Sequence, residues 1–127
     1  MIMGGVLERF PALKVAFLEA NCSWTPYLLW RMDEHFEHRD SHAKSRFSRR
    51  PSEYFKRQCF VAIEADEDMG VEATRRIGAE TVVFSTDFPH EDSRWPRAKE
   101  AFLKLPFAAE EQRTILWDNP ARLYGIV

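Results

Sequence analysis

Cys59-Phe60-Val61-Ala62-Ile63, followed at once by Glu64, decides how the chain is read. Apolar residues in an unbroken run, without alternation, describe a strand covered on both faces. That is the habit of strands in a parallel sheet flanked by helices. Two similar runs lie on either side. Upstream is Lys14-Val15-Ala16-Phe17-Leu18, ending in Glu19-Ala20-Asn21, and downstream is Thr81-Val82-Val83-Phe84, ending in Ser85-Thr86-Asp87. Each run closes at its C-terminal side in a carboxylate. Helical patterns separate the runs, and strands that alternate with helices imply right-handed βαβ crossovers, hence an α/β fold with a parallel sheet. A sheet this narrow leaves its edges open and one face poorly covered.

The helices have their own signals. Thr25-Pro26 reads as an N-cap followed by proline at the first helical position. Leu28, Leu29, Met32 and Phe36 then mark one helix face, with Arg31, Glu34 and Glu37 away from it. The stretch 42–57 is basic, with Lys44, Arg46, Arg49, Arg50, Lys56 and Arg57 against the single acid Glu53. Its interleaved Phe47, Tyr54 and Phe55 raise nucleic acid as a partner. A helix-to-strand connection, however, lies at the face opposite the strands' carboxyl ends, so a solvated loop or an inter-subunit contact is the expectation. A short helix over 71–77 stops at Gly78, and 96–105 and 108–117 read as helical. Asn119-Pro120 caps a last turn that ends near Gly125.

Composition bounds the function. The 127 residues are 45% apolar, 30% charged and 13% aromatic, which suits one globular core and one domain over 1–127. Five Gly, seven Pro and two Cys exclude collagen-like, disordered and disulfide-framework classes. A net charge of −2 supplies no field that draws the chain to nucleic acid or anionic lipid. No apolar run is long enough to span a membrane, and the N-terminal segment lacks the pattern of a signal peptide. Cys22 and Cys59 form no CxxC and fit reduced thiols. The expectation is a cytoplasmic protein with no nucleic-acid or membrane partner.

Six blocks of sequence, in order, carry a resemblance. They are Gly4-Gly5-Val6-Leu7-Glu8-Arg9-Phe10-Pro11, Glu19-Ala20-Asn21-Cys22-Ser23-Trp24-Thr25-Pro26-Tyr27, Arg31-Met32-Asp33-Glu34-His35, Pro51-Ser52-Glu53-Tyr54-Phe55, Ser85-Thr86-Asp87-Phe88-Pro89-His90 and Asn119-Pro120-Ala121-Arg122-Leu123-Tyr124-Gly125. Together they resemble the C-terminal part of the amidohydrolase-related (amidohydrolase family 2) metal-dependent hydrolases, which include the aminocarboxymuconate-semialdehyde decarboxylase-like enzymes. The resemblance implies a (β/α)8 TIM barrel, with the three runs as its sixth, seventh and eighth strands. Such barrels take about 250 residues, so this chain reads as a C-terminal half-barrel fragment. Its histidines, His35, His38, His42 and His90, form no His-x-His pair of the kind the family places after its first strand.

The resemblance makes Asp87 a metal ligand, with Zn2+ or another divalent ion as the cofactor of the complete fold. Independently, a carboxylate that follows a buried strand emerges at the mouth where barrel enzymes build their sites; without a metal, Asp87 would cap the turn. Glu19 faces the same mouth, as a general base or a partner for a ligand, or else paired to a nearby Arg. Decarboxylase-like members place a histidine at the end of this strand, where the present chain has Glu19-Ala20-Asn21. His90, three residues beyond Asp87, either lines a substrate pocket or faces solvent from a loop. Trp24 lines a pocket just past the first strand, while Trp30, Trp95 and Trp117 are expected in core or interface. Glu64 and Asp66 are expected on a loop rim or at a helix cap, and His35, His38 and His42 on a solvated helix face. The expected activity is metal-dependent C–O or C–N hydrolysis, or decarboxylation, of a small organic substrate. The catalytic residues would be Asp87 and Glu19, with His90 and Trp24 binding substrate. The site would be completed by the missing N-terminal half of the barrel or by a homo-oligomer. The alternative is a metal-free, inactive, self-associating barrel fragment.

Overall fold

The computed structural model describes residues 1–38 and 46–126. In chain order the elements are α1 (Val6–Arg9), β1 (Val15–Phe17), α2 (Thr25–Glu37), α3 (Pro51–Gln58), β2 (Cys59–Ile63), α4 (Asp68–Ile77), β3 (Val82–Phe84), α5 (Ala98–Phe102), α6 (Ala109–Arg113) and α7 (Asn119–Tyr124). The three apolar runs form one parallel sheet in the order β1-β2-β3. Its register sets Phe17 beside Val61 and Val61 beside Val82.

Side chains on a strand alternate between faces, so this register sorts the sheet residues into two groups. Val15, Phe17, Cys59, Val61, Ile63, Val82 and Phe84 belong to the large core, with Leu29 of α2, Tyr54 and Phe55 of α3, and Val71 and Ile77 of α4. Ala16, Phe60, Ala62 and Val83 form a small second cluster, capped by Leu123 of α7. Arg122 of the same helix lies 4.7 Å above the Phe60 ring. All five residues of β2 are buried, as its unbroken apolar run requires. The second face stays partly open, with a cleft of about 190 Å³ between Leu18, Val83, Leu123 and Tyr124.

Several local readings are corrected. Residues 51–57 are not a solvated loop, because Pro51–Gln58 is a helix. Pro51 occupies its first turn, where a missing N–H costs nothing, and the Glu53 carboxylate accepts the Arg50 N–H at 2.8 Å. Asp33 of α2 accepts both the Ser52 N–H (2.9 Å) and the Ser52 hydroxyl (2.6 Å). The basic side chains Lys56 and Arg57 stay exposed while Tyr54, Phe55 and Gln58 turn inward. Lys44 and His42 lie outside the described residues, whereas His35 and His38 are exposed. The helix expected over 96–105 is confined to Ala98–Phe102, and 108–117 divides into α6 and a π-turn over Thr114–Asp118. Thr25 is the first residue of its helix rather than the cap, which is Trp24. Trp30, Trp95 and Trp117, expected in core or interface, are exposed and lie outside the core. Among the described residues no helix is long and apolar enough to cross a membrane.

The end of the sheet where the strands begin is closed by two side-chain amides. Asn119, 3% exposed, donates from Nδ2 to the carbonyls of Ala79 (2.7 Å) and Val82 (2.6 Å). Gln58 does the same nearby, donating from Nε2 to the carbonyls of Phe10 (2.8 Å) and Leu13 (2.9 Å). Replacing Asn119 with Ala removes two hydrogen bonds to main-chain carbonyls, so Asn119→Ala should lower the free energy of unfolding by about 1–3 kcal/mol. Urea unfolding followed by far-UV circular dichroism measures this, and an unchanged midpoint contradicts it.

Candidate functional site

Parallel strands end on the same side, so the residues that follow β1, β2 and β3 share one mouth. Glu19 follows β1 by two residues, Glu64 follows β2 directly and Asp87 follows β3 by three. The chain leaves β1 and β3 through residues in the left-handed region, Asn21 (φ 52°) and Asp87 (φ 56°). Asn and Asp are the non-glycine residues that tolerate this conformation best. Asp87 is held there by local bonds. Its N–H donates to Ser85 Oγ at 3.2 Å, and its carbonyl accepts the His90 N–H at 3.0 Å.

Three of these residues converge. Glu19, Asp87 and His90 each offer one ligand atom, and the atoms lie within 4.8 Å of one another. His90 Nδ1 is 2.9 Å from Asp87 Oδ1. That hydrogen bond, followed by the Asp87 charge, raises the His90 pKa, with smaller contributions from Glu19 and Asp92. Asp87 is half-buried, whereas Glu19 and His90 are exposed. His90 faces solvent from the loop after β3 and is tied to Asp87.

The mouth is acidic. Burial raises the Glu64 carboxyl pKa first, and Asp87, Glu67, Asp92 and Asp66 raise it further. Asp66 itself is exposed and pairs with Arg94. Glu67 is a residue that sequence reasoning missed. It is buried and accepts hydrogen bonds from the N–H groups of Cys22 and Ser23, on the far side of β2. An acid just before a helix is a weak signal, which a reader of the sequence assigns to the helix dipole.

Trp24 does not join this group. Its indole N–H donates to the Asn21 carbonyl at 2.9 Å, and its ring packs edge-on to Phe17. It lines an apolar cleft of about 260 Å³ with Ile2, Leu28, Met32 and Phe55, on the helix-covered side of the sheet. Phe88 and Trp95 are the exposed aromatics beside Asp87 and His90, with ring centroids 5.4 Å apart.

A parallel βαβ sheet whose carboxyl ends gather two carboxylates and an imidazole defines the α/β class of protein, with its site on the side where the strands end. The chain belongs to the amidohydrolase family, whose profile matches residues 1–126. It is 26% identical over 128 residues to the gamma-resorcylate decarboxylase of Polaromonas sp. (strain JS666 / ATCC BAA-500), a match covering 98% of this chain and 38% of that protein. Among solved structures it is similar to an amidohydrolase from Mycobacterium avium subsp. paratuberculosis K-10. There the TM-score is 0.80 at 27% identity, over 97% of this chain and 31% of that one. It also superimposes on a dihydroxybenzoic acid decarboxylase from Polaromonas sp. JS666, solved with bound manganese and the inhibitor 2-nitroresorcinol. In that case the TM-score is 0.76 at 22% identity, over 98% of this chain and 37% of that one. The chain thus spans less than half the length of each of these proteins, and its fold is part of a TIM barrel.

Neither cysteine belongs to the chemistry of the mouth. Burial pushes the Cys22 thiol up to about 12, with the Glu67 charge adding to it, and burial pushes Cys59 up to about 11. Both therefore stay protonated and inert near neutral pH. A thiol pKa raised on folding stabilises the protein fully below the unfolded value of about 8.5. That contribution fades as pH climbs from there through the folded values. At pH 8 the native protein should react with Ellman's reagent far more slowly than the urea-unfolded chain, and unfolding free energy should decline above pH 8.5. Labelling at equal rates in the two states contradicts the burial of both thiols.

Proposed function

We propose that this chain supplies one sector of a divalent-metal site at the mouth of an amidohydrolase barrel. The complete barrel would act on a small organic substrate by decarboxylation or by C–O or C–N hydrolysis. One observation carries the reading: Glu19, Asp87 and His90, from two different strand ends, bring their ligand atoms within 4.8 Å of one another. The donor set, two carboxylates and an imidazole, fits a divalent ion such as manganese or zinc. The acidity of the surrounding mouth, felt in the raised Glu64 pKa, supplies charge that such an ion offsets. The decarboxylases among the similar proteins favour carbon–carbon cleavage, while Glu19 in place of a histidine on this strand favours proton abstraction by a carboxylate.

When bound, the cation would polarise a substrate oxygen and lower the pKa of a bound water. Asp87 would hold it, fixed by its own backbone bonds to Ser85 and His90. His90, hydrogen-bonded to Asp87 through Nδ1, keeps that carboxylate oriented and presents its other ring nitrogen outward. Glu19, exposed and with its carboxylate within 4.8 Å of the Asp87 and His90 ligand atoms, accepts or returns a proton. Partners that complete the barrel would bring the remaining ligands, because strands β1 and β3 are the outer strands of the sheet.

The test is isothermal titration of the purified chain with MnCl2. The expected result is saturable binding by wild type, and affinity lower by at least about tenfold, or roughly 1.4 kcal/mol, in Asp87→Asn. Identical isotherms for wild type and Asp87→Asn overturn the assignment of Asp87. Absence of binding together with an oligomer in sedimentation favours the metal-free, self-associating alternative, for which the exposed Tyr27 and Trp30 on α2 provide apolar surface.

A further inference from the structure

We propose that Glu67 is a positioning residue for the mouth: it sets where the loop after β1 carries Glu19 relative to Asp87 and His90. The inference rests on the metal-site reading of that cluster. Glu67 lies just before α4, yet its carboxylate reaches across to the loop between β1 and α2. Oε1 accepts the Cys22 N–H at 2.9 Å, the Ser23 N–H at 2.8 Å and the Ser23 hydroxyl. Oε2 lies 3.2 Å from the Cys22 nitrogen and accepts the Glu64 N–H at 3.4 Å. One side chain therefore ties the exit of β1 to the exit of β2.

The chemistry explains why a charge is used. A buried carboxylate without partners is expensive, and this one is 9% exposed. Consecutive main-chain N–H groups make a concave anion site, and hydrogen bonds to an ionised acceptor are stronger than neutral ones. The same two residues precede α2, so the charge also faces the positive end of a helix of 13 residues. The loop is fastened at its other points as well. Trp24 Nε1 holds the Asn21 carbonyl, Asn21 takes φ 52°, and the buried Cys22 sulfur sits 3.7 Å from the Gly70 carbonyl of α4. Glu19 itself is exposed, so its place is set by what anchors the residues that follow it. Glu67 touches neither Asp87 nor His90 through any bond described above; it acts through the loop.

The experiment compares wild type, Glu67→Gln and Asn119→Ala. Glutamine keeps the size of the side chain but removes its charge. Asn119→Ala perturbs the opposite end of the sheet and serves as the control for lost stability. Two readings are taken: MnCl2 affinity by calorimetry, and nuclear Overhauser contacts between the Glu19 and His90 side chains in metal-free protein. Positioning by Glu67 predicts that Glu67→Gln weakens manganese binding about 10–100-fold and loses the Glu19–His90 contacts, while Asn119→Ala alters neither. Persistence of the contacts in Glu67→Gln, or equal losses in both variants, overturns the inference. If wild type binds no manganese, the metal-site reading fails, and the Overhauser contacts decide the positioning role by themselves.

Discussion

The rest of the molecule depends on the burial of β2 from both sides. All five of its residues are buried, and it pairs in parallel with β1 and β3. Parallel pairing has a consequence that antiparallel pairing lacks: it sends every strand exit to the same side. Once Val61 is locked between Phe17 and Val82, the residues that follow the three strands must share one rim. Alternation along the strands does the other half of the work, giving the helices a Val-, Ile- and Phe-rich face. The opposite face keeps Ala16, Phe60, Ala62 and Val83.

The two ends of the sheet are built differently. Where the strands begin, neutral amides close the structure. Asn119 and Gln58 each bridge two main-chain carbonyls, and Arg122 covers the Phe60 ring. Where they end, carboxylates gather although the chain carries a net charge of only −2. Glu64 responds with a raised pKa and His90 with another, the one through burial and like charge, the other through its bond to Asp87. Such an arrangement is costly for stability alone, and it is the usual division in barrels between an end that holds the fold and an end that holds the chemistry. Within the acidic rim Glu67 is the exception, because main-chain N–H groups offset its charge and draw it inward.

Much of this was legible in the sequence. Apolar runs without alternation marked the three strands, and a carboxylate after each run marked the mouth, because both are local facts about residue order. The position of Asp87, Glu19 and His90 just beyond strand ends was legible for the same reason. The misreadings share a cause. Residues 51–57 were weighed by their charges, whereas the structure weighs Tyr54, Phe55 and Gln58, whose partners come from α1, α2 and the sheet. Trp24 does line a cleft, as its place after a strand end suggests, but that cleft lies on the helix-covered side of the sheet, where its ring packs on Phe17.

What the sequence by itself determined is therefore the class of fold and the set of acids at the strand exits, which periodicity and residue order carry, and the family, which the resemblance of six blocks carries. Only the tertiary structure decided that Glu19 meets His90 and Asp87, and that Glu67 turns inward to hold Cys22 and Ser23. The physical reason lies in the partners. Glu67 bonds main-chain N–H groups more than forty positions away, and every residue but proline has such a group. No pattern of side chains can announce a contact made to the backbone, and it exists once the sheet has brought the two loops together.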